Sequence, residues 1–322
     1  MRSFIRLVVA SLALIGVLPG AAAQAFPSKP VKIIVSFSPG SAADLVARRL
    51  GQRLSEIWGQ GVVIENVAGA GGNIGAAVVA KAPPDGHTLL MLTINHVINP
   101  ALYKDVGYDI PRDFRPIVRV AVAPLAIIAS PKFGPSSIQG MVAAAKSKPG
   151  DINYGSGGNG SITHLAVEML NSQTGIKTMH VPYKSIAPML TGVLGEQVQI
   201  AAPALASVIS HAKAGTLKVL AVTTIDRSSL FPNVPTIAES GVPGYDVSTW
   251  NGLAAPLNTP NAIVEKIHTD VLKVAQSVDF RNELQQQAIE LKTMGPAEFG
   301  AFVKMELDKW ALVVKQTGAK LD

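Results

Sequence analysis

Three short turns rich in glycine and serine have the composition of anion-binding sites. Each lies between a run of β-branched residues and a stretch with helical periodicity, at residues 38–41, 69–75 and 155–161. The start of a helix leaves backbone N–H groups without intrahelical partners and carries a partial positive charge, so it attracts carboxylate and phosphate groups. The turns therefore predict that this chain binds a small anionic molecule.

The first turn, Ser38-Pro39-Gly40-Ser41, is followed closely by Asp44. Ser41 and Asp44 resemble a capping box, in which the serine hydroxyl accepts one free N–H and the acid accepts another, with aspartate in place of the usual glutamate or glutamine. A pure capping role and a role in ligand binding are equally open for these side chains. In either case Ser38 and the amides around Gly40 stay available to a ligand.

The other two turns differ in what they suggest. Residues 69–75 open a predicted helix at Asn73, and a tight turn with close helix packing is the favoured interpretation. Residues 155–161 match G-x-G-x-x-G, a dinucleotide-binding pattern that requires a ribose-binding acid about 20 residues later. The next predicted strand ends instead in Pro182-Tyr183-Lys184. We therefore favour a simple anion-binding turn over a nucleotide site.

The composition disfavours catalysis and metal binding. The sequence contains no cysteine, and its six histidines are scattered without metal-ligand spacing. Ser210 and Lys213 match S-x-x-K, but the Lys-Thr-Gly partner of such hydrolases is missing. We predict that the protein is not an enzyme and uses no cofactor or metal. Its net charge of +6 includes no cluster of basic residues, which disfavours nucleic acid as a partner and suits a small anion.

Residues 1–25 have the pattern of a secretory signal. Arg2 and Arg6 flank an apolar run at residues 7–18 that is shorter than the ~20 residues needed to span a membrane. Pro19-Gly20 ends this run, and the small residues 21–25 fit the site that signal peptidase cleaves. We expect cleavage after Ala25 and an exported mature protein.

Predicted strands and helices alternate along the rest of the chain. The predicted strands include residues 31–37, 62–66, 88–93 and 126–130, and the first helix runs from Ala42 to about Trp58. This alternation predicts an α/β protein with parallel sheets that are covered on both faces.

The chain is long enough for two lobes. Extended segments with proline at residues 118–128 and 222–256 indicate crossings between them, and residues 259–317 are expected to be mostly helical. The predicted division is a discontinuous first lobe, residues 26–124 plus 225–322, and a second lobe, residues 125–224.

A series of short phrases follows in order along the mature chain: Phe26-Pro27-Ser28-Lys29-Pro30, Ser38-Pro39-Gly40, Pro84-Asp85-Gly86, Asn99-Pro100-Ala101-Leu102-Tyr103, Gly158-Asn159-Gly160-Ser161, His180-Val181-Pro182-Tyr183-Lys184 and Pro232-Asn233-Val234-Pro235-Thr236. At this spacing they resemble the Bug-type receptors of tripartite tricarboxylate transporters, which are periplasmic solute-binding proteins of Gram-negative bacteria.

The resemblance implies a type II periplasmic-binding-protein fold, with two α/β lobes, two crossover segments and a ligand cleft. It implies a small organic carboxylate as ligand and membrane transporter subunits as partners, and we expect a monomer. The first and third turns would hold the carboxylate through main-chain N–H groups and small hydroxyls. The predicted ligand-binding residues are Phe37, Ser38, Gly40, Ser41, Ala42, Asp44, His96, Gly157, Asn159, Gly160, Ser161, Thr163 and Tyr183.

Two departures from the family pattern bear on the ligand. Ser185 replaces a common glycine, and Ala201-Ala202-Pro203 stands where many members have Phe-Asp. Without that aspartate a ligand ammonium lacks a partner, which favours a mono- or dicarboxylate with an apolar or aromatic body. His96 is open between ligand contact and ordinary loop surface. Transport and ligand sensing are equally compatible with these residues.

Overall fold

The computed structural model describes residues 26–319 and 321. The predicted signal peptide, residues 1–25, lies outside the described residues. The described strands are β1 Val31–Val35, β2 Val62–Asn66, β3 Thr88–Thr93, β4 Phe114–Pro124, β5 Ala126–Ala129, β6 Asn153–Ser156, β7 Met179–Pro182, β8 Ile200–Ala201, β9 Lys218–Val222, β10 Ser248–Pro256 and β11 Glu290–Met294.

Helices separate most of these strands. They are α1 Ala42–Trp58, α2 Asn73–Ala80, α3 Ile94–Leu102, α4 Ile110–Asp113, α5 Ile138–Ser147, α6 Ile162–Thr174, α7 Ile186–Leu194, α8 Ile209–Lys213, α9 Asn261–Ala275, α10 Val278–Gln285 and α11 Pro296–Thr317. Short 3-10 turns lie at Ala70–Gly72 and Leu205–Val208. Among the described helices, none combines the length and the apolar character that a membrane span requires.

The strands form two sheets, and each sheet is the centre of one lobe. The first sheet has the order β11-β4-β10-β3-β1-β2, and the second has the order β7-β6-β8-β5-β9. Helices cover both sheets, as expected for an α/β protein, and one cluster of buried apolar side chains contains residues of both lobes, among them Leu90 and Tyr154. The two-lobed architecture is that of the type II periplasmic-binding-protein fold.

The predicted parallel sheets are in fact mixed sheets, with both parallel and antiparallel pairs. Strand β1 pairs in parallel with β2 and β3, but β10 is antiparallel to both β3 and β4, and β11 is antiparallel to β4. In the second sheet, β5 runs antiparallel to β8 and β9. The chain leaves the first lobe along β4 and returns along β10, so these neighbours must run in opposite directions.

The crossings lie at the ends of these strands. Strand β4 ends at Pro124 and β5 begins at Ala126, whereas the return runs from the end of β9 at Val222 to Ser248. The sequence places residues 225–247 in the first lobe, but the later part of this segment contacts the second lobe: Ile237 N donates to Val222 O (3.0 Å), and the Tyr245 hydroxyl donates to Ala166 O (2.7 Å). The chain enters the first sheet again only at Ser248.

Helix α1 has defined ends and a buried face. The Ser41 hydroxyl accepts the N–H of Asp44, and Gly59 ends the helix with a φ of 61°, a left-handed conformation that glycine adopts without strain. Val46, Leu50 and Leu54 recur at helical spacing and are fully buried against the first sheet. This packing holds the start of α1 beyond the carboxyl end of β1.

Two helical glycines differ in the space around them, so substituting them should have opposite effects. A Cβ at Gly75 in α2 would lie 2.5 Å from Ser36 Oγ and 2.8 Å from the Val67 carbonyl oxygen. A Cβ at Gly300 in α11 would have no heavy atom of the described residues within 4 Å, apart from its chain neighbours and the backbone of its own helix. We expect Gly75→Ala to destabilise the protein by about 2 kcal/mol through overpacking. Gly300→Ala should stabilise it by up to about 1 kcal/mol through helix propensity. Urea unfolding of both variants tests this, and changes of equal sign would contradict it.

Candidate functional site

A cavity of about 540 Å³ lies between the two lobes. Its lining residues are uncharged and mostly apolar: Gly40, Ala42, Leu45, Ala123, Leu125, Ile162, Thr163, Ile186, Ala204, Ala206, Ser207, Thr249, Gln287 and Ile289. The starts of α1 and α6, one from each lobe, both reach this cavity. It therefore combines an apolar wall with two positively polarised helix ends.

At the start of α1, the predicted capping box forms with a small change. The Asp44 carboxylate accepts the N–H of Gly40 (2.9 Å), the residue before Ser41, and it also binds Arg48 and Asn66. Burial alone would raise the pKa of Asp44, but the hydrogen bonds from Arg48, Gly40 and Asn66 outweigh it and hold this pKa below its usual range. Asp44 thus stabilises the start of α1 through hydrogen bonds with Gly40, Arg48 and Asn66.

The first-turn amides of α1 stay available. Helix geometry gives the N–H groups of Ala42 and Ala43 no intrahelical acceptor. Ala42 lines the cavity beside Gly40. The Ser41 hydroxyl accepts a hydrogen bond from Asp44 N. Among the described residues, no acceptor for the Ser41 hydroxyl proton is found. These donors can bind a carboxylate that enters from the cavity.

At the start of α6, the glycine amides of the predicted site already have acceptors inside the protein. Gly157 N donates to Thr163 Oγ1 (2.8 Å), Gly158 N to Ser156 Oγ (3.1 Å) and Gly160 N to His164 Nδ1 (3.1 Å). A bound pyrophosphate would need these same N–H groups as hydrogen-bond donors. Because they already donate within the protein, the structure disfavours a dinucleotide site here. The prediction that the Gly157 and Gly160 amides bind the ligand must be revised for the same reason.

The donors that remain on the second lobe belong to the helix itself. The N–H groups of Ile162 and Thr163 lie in the first turn of α6, where helix geometry provides no acceptor, and both residues line the cavity. The Ser161 hydroxyl donates to Gly158 O (2.7 Å), so its proton is committed within the turn. Asn159 lies in the same turn, outside the cavity lining.

Gly160 lies at a contact between the lobes. A Cβ there would lie 3.0 Å from Leu102 and 3.2 Å from Leu321, and its φ of 71° is in the left-handed region. Glycine is therefore required at this position by the approach of α3 and by the backbone conformation. This role differs from the predicted ligand contact.

His96 corrects the sequence interpretation most clearly. It had been placed in a loop, but it lies in the first turn of α3, completely buried, and its Nδ1 accepts the N–H of Thr93 (3.0 Å). The loop-surface alternative is therefore wrong. The ring of Phe37 packs beside it at 5.9 Å between centroids, and burial lowers the pKa of His96 to about 4. Neither ring is part of the cavity lining.

Tyr183 and Ser38 also lie outside the cavity lining. Tyr183 packs against Gly155 and Gly192 behind the second-lobe turn, where its ring comes within 3.3 Å of a Cβ at either position. The Ser38 carbonyl accepts the N–H of Ser41 (3.2 Å), which closes the first turn. Of the predicted residues, Gly40, Ala42 and Thr163 line the cavity.

Sequence reasoning missed the floor and one wall of the cavity. Ala123 and Thr249 pair across β4 and β10 at the crossings, and Gln287 with Ile289 come from the turn before β11. Only the Ala201-Ala202-Pro203 departure gave a usable signal, because it leads into the apolar wall formed by Ala204 and Ala206.

Comparison with known proteins identifies this architecture. Residues 46–319 match the tripartite tricarboxylate transporter family receptor. BugT of Bordetella pertussis is 32% identical over 312 residues, which cover 96% of this chain and 96% of BugT. The chain belongs to the Bug-type family of tripartite tricarboxylate transporter receptors. Members of this family are solute-binding receptors and not enzymes.

Solved Bug-type and related receptors share the fold over their whole length. A protein of R. palustris solved with adipate is 34% identical with a TM-score of 0.77, covering 92% of this chain and 100% of that one. MatC from Rhodopseudomonas palustris, solved with bound malate, is 29% identical with a TM-score of 0.72, covering 90% of this chain and 100% of MatC.

Proposed function

We propose that this Bug-type receptor captures a small organic mono- or dicarboxylate with an apolar body in the periplasm and delivers it to the membrane subunits of a tripartite transporter. The supporting observation is the cavity between the lobes, where the uncovered amides of two helix starts meet an apolar wall. The helix starts bind the anionic end, and the wall excludes water from the rest of the ligand.

The lining also limits the class of ligand. Its polar side chains are Thr163, Ser207, Thr249 and Gln287, all neutral. An ammonium group in the cavity would lose its hydration without gaining a carboxylate partner, which is costly in an apolar site. Amino acids should therefore bind worse than the corresponding acids. The adipate and malate in the related structures agree with a carboxylate ligand.

Matched pairs of ligands test this proposal directly. Thermal-shift assays would compare adipate with 2-aminoadipate, and phenylacetate with phenylalanine, within a wider carboxylate library. A ligand at about 100 times its Kd adds ~2.7 kcal/mol of stability, which is a shift of several degrees. We expect at least one acid to produce this shift and its amino counterpart to produce little. Stabilisation by amino acids alone would refute the proposal.

We further expect ligand binding to close the lobes. Each lobe supplies one helix start, and neither start alone surrounds a small anion, so full contact requires the cavity to narrow. Small-angle scattering with and without the best acid from the library should show a smaller radius of gyration in the bound state. Equal radii in both states would contradict lobe closure.

A further inference from the structure

Three near-parallel rings lie in the second lobe beside the turn that begins α6. The His164 and His180 rings are stacked with centroids 3.9 Å apart and planes 8° apart, and Tyr154 lies 4.9 Å from His180. Tyr154 and His164 are buried, with exposures of 0% and 5%.

Each imidazole holds a different part of the turn. His164 Nδ1 accepts the N–H of Gly160 (3.1 Å), which requires this nitrogen to be unprotonated. His180 Nε2 lies 2.6 Å from the Ser156 hydroxyl, and that hydroxyl contacts both the N–H and the carbonyl of Gly158 at 3.1 Å. The two rings thus anchor Gly158 and Gly160, on either side of Asn159.

We propose that His164 and His180 are positioning residues of the ligand site, and that His164 holds the second-lobe turn in its binding geometry only while its Nδ1 is unprotonated. Protonation of His164 at Nδ1 would set two N–H donors against each other and release Gly160. The start of α6 would then lose its fixed position at the cavity, and affinity would fall. This inference rests on the carboxylate-binding function proposed above.

The surroundings favour the neutral rings at ordinary pH. Burial lowers the pKa of His164 to about 4, and burial together with the neighbouring His164 lowers that of His180 to about 4. Glu168 acts in the opposite direction, but its carboxylate already accepts from the Tyr154 hydroxyl (2.5 Å) and from Asn171 (3.2 Å). The turn is therefore intact at neutral pH and is released as the pH falls toward 4.

Two substitutions separate the roles of His164. His164→Phe keeps an aromatic ring in the stack but removes the acceptor, whereas His164→Asn retains an acceptor and cannot take up a proton. His211→Asn is the matched control, because His211 lies in α8 of the same lobe and bonds only within its own segment, to Thr216.

Isothermal calorimetry with adipate would compare these variants with the parent protein from pH 7.5 to pH 3.5. We expect His164→Phe to bind about tenfold more weakly at pH 7.5. Relative to His164→Asn, the parent should lose about 1.3-fold more affinity by pH 4.5 and about fourfold more by pH 3.5, as expected when a group with a pKa of about 4 must stay neutral. Ratios of variant to parent at each pH cancel the titration of adipate itself, and His211→Asn should follow the parent throughout.

Amide NMR of the ligand-free protein supplies an independent readout. The Gly160 N–H resonance should shift with a midpoint near the His164 pKa of about 4 in the parent and stay fixed in His164→Asn. A Gly160 resonance that is constant in the parent, or full affinity in His164→Phe, would overturn the inference. Absence of adipate binding by the parent would count against the proposed ligand class alone.

Discussion

Replacing Ser41 by alanine is expected to weaken carboxylate binding by tenfold to a hundredfold. The Ser41 hydroxyl lies between Gly40 and Ala42, which line the cavity, and it is engaged as an acceptor by Asp44 N (3.3 Å). Its proton can therefore be donated to the ligand, and a hydrogen bond to a charged group contributes about 1.5–3 kcal/mol. Calorimetry with the best acid from the library measures the loss.

The helix cap lost in the same substitution should cost stability but not affinity. Ser137 caps α5 in the same way, with its hydroxyl accepting Gly140 N at 3.1 Å, and it lies outside the cavity lining. Ser137→Ala should therefore lose about 1 kcal/mol of stability, as Ser41→Ala does, and bind the acid normally. Equal affinities for these two variants would show that Ser41 only caps α1.

Ser161→Ala and Asp44→Asn complete the comparison. Ser41 and Ser161 are both predicted from the sequence to bind the ligand, but the Ser161 hydroxyl donates its proton to Gly158 O (2.7 Å). Loss of affinity in Ser161→Ala should therefore be smaller and come through a loosened turn. Asp44→Asn should act mainly on the stability of the α1 start, because the carboxylate binds Gly40, Arg48 and Asn66.

The free energy of unfolding of the ligand-free protein should fall by about 4 kcal/mol between pH 7 and pH 4.5. His96 and His164 are buried and have pKa values near 4, whereas an unfolded histidine titrates near 6.5. Below pH 6.5 these histidines bind protons in the unfolded chain but stay neutral in the folded protein. The free energy of unfolding therefore decreases as the pH falls. His96 and His164 each contribute about 2 kcal/mol by pH 4.5, and the less buried His180, whose pKa is also about 4, adds a smaller loss of the same sign.

Carboxylates modify this dependence only at its acidic end. Asp44 and Asp270 have lowered pKa values, so their protonation at acidic pH also decreases the free energy of unfolding. Burial raises the pKa of Asp246, so protonation of Asp246 changes the free energy of unfolding in the opposite direction. Urea unfolding at several pH values would give the curve. His96→Asn should flatten it. Parallel curves for His96→Asn and the parent would refute the assignment.

Local features of the fold were predictable where the sequence itself supplies the constraint. Ser41 and Gly59 bracket α1 as a cap and a left-handed end, and the predicted strands at 62–66 and 88–93 are β2 and β3 of the structure. Strands β4 and β10 were not predicted, because their continuous burial comes from pairing between distant segments and leaves no alternating pattern in either segment.

The candidate site likewise has features that the sequence predicts and features that depend on packing. Helix starts at Ala42 and Ile162 follow from turn composition, so their place at the cavity could be predicted. The acceptors that occupy the amides of Gly157 and Gly160 are side chains on the next helical turn, Thr163 and His164, and their orientation depends on packing. The burial of His96 depends likewise on α3 lying beneath Phe37.

The position of β10 within the first sheet has a consequence for the order of folding. Strand β10, residues 248–256, lies between β3 and β4, and Leu321 N donates to Leu102 O (2.9 Å), so the first lobe needs segments from the last quarter of the chain. All five strands of the second sheet fall within residues 126–222. A chain that emerges amino-terminus first can therefore form the second sheet before β10 is present. Until β10 pairs with them, β3 and β4 each have an unpaired edge.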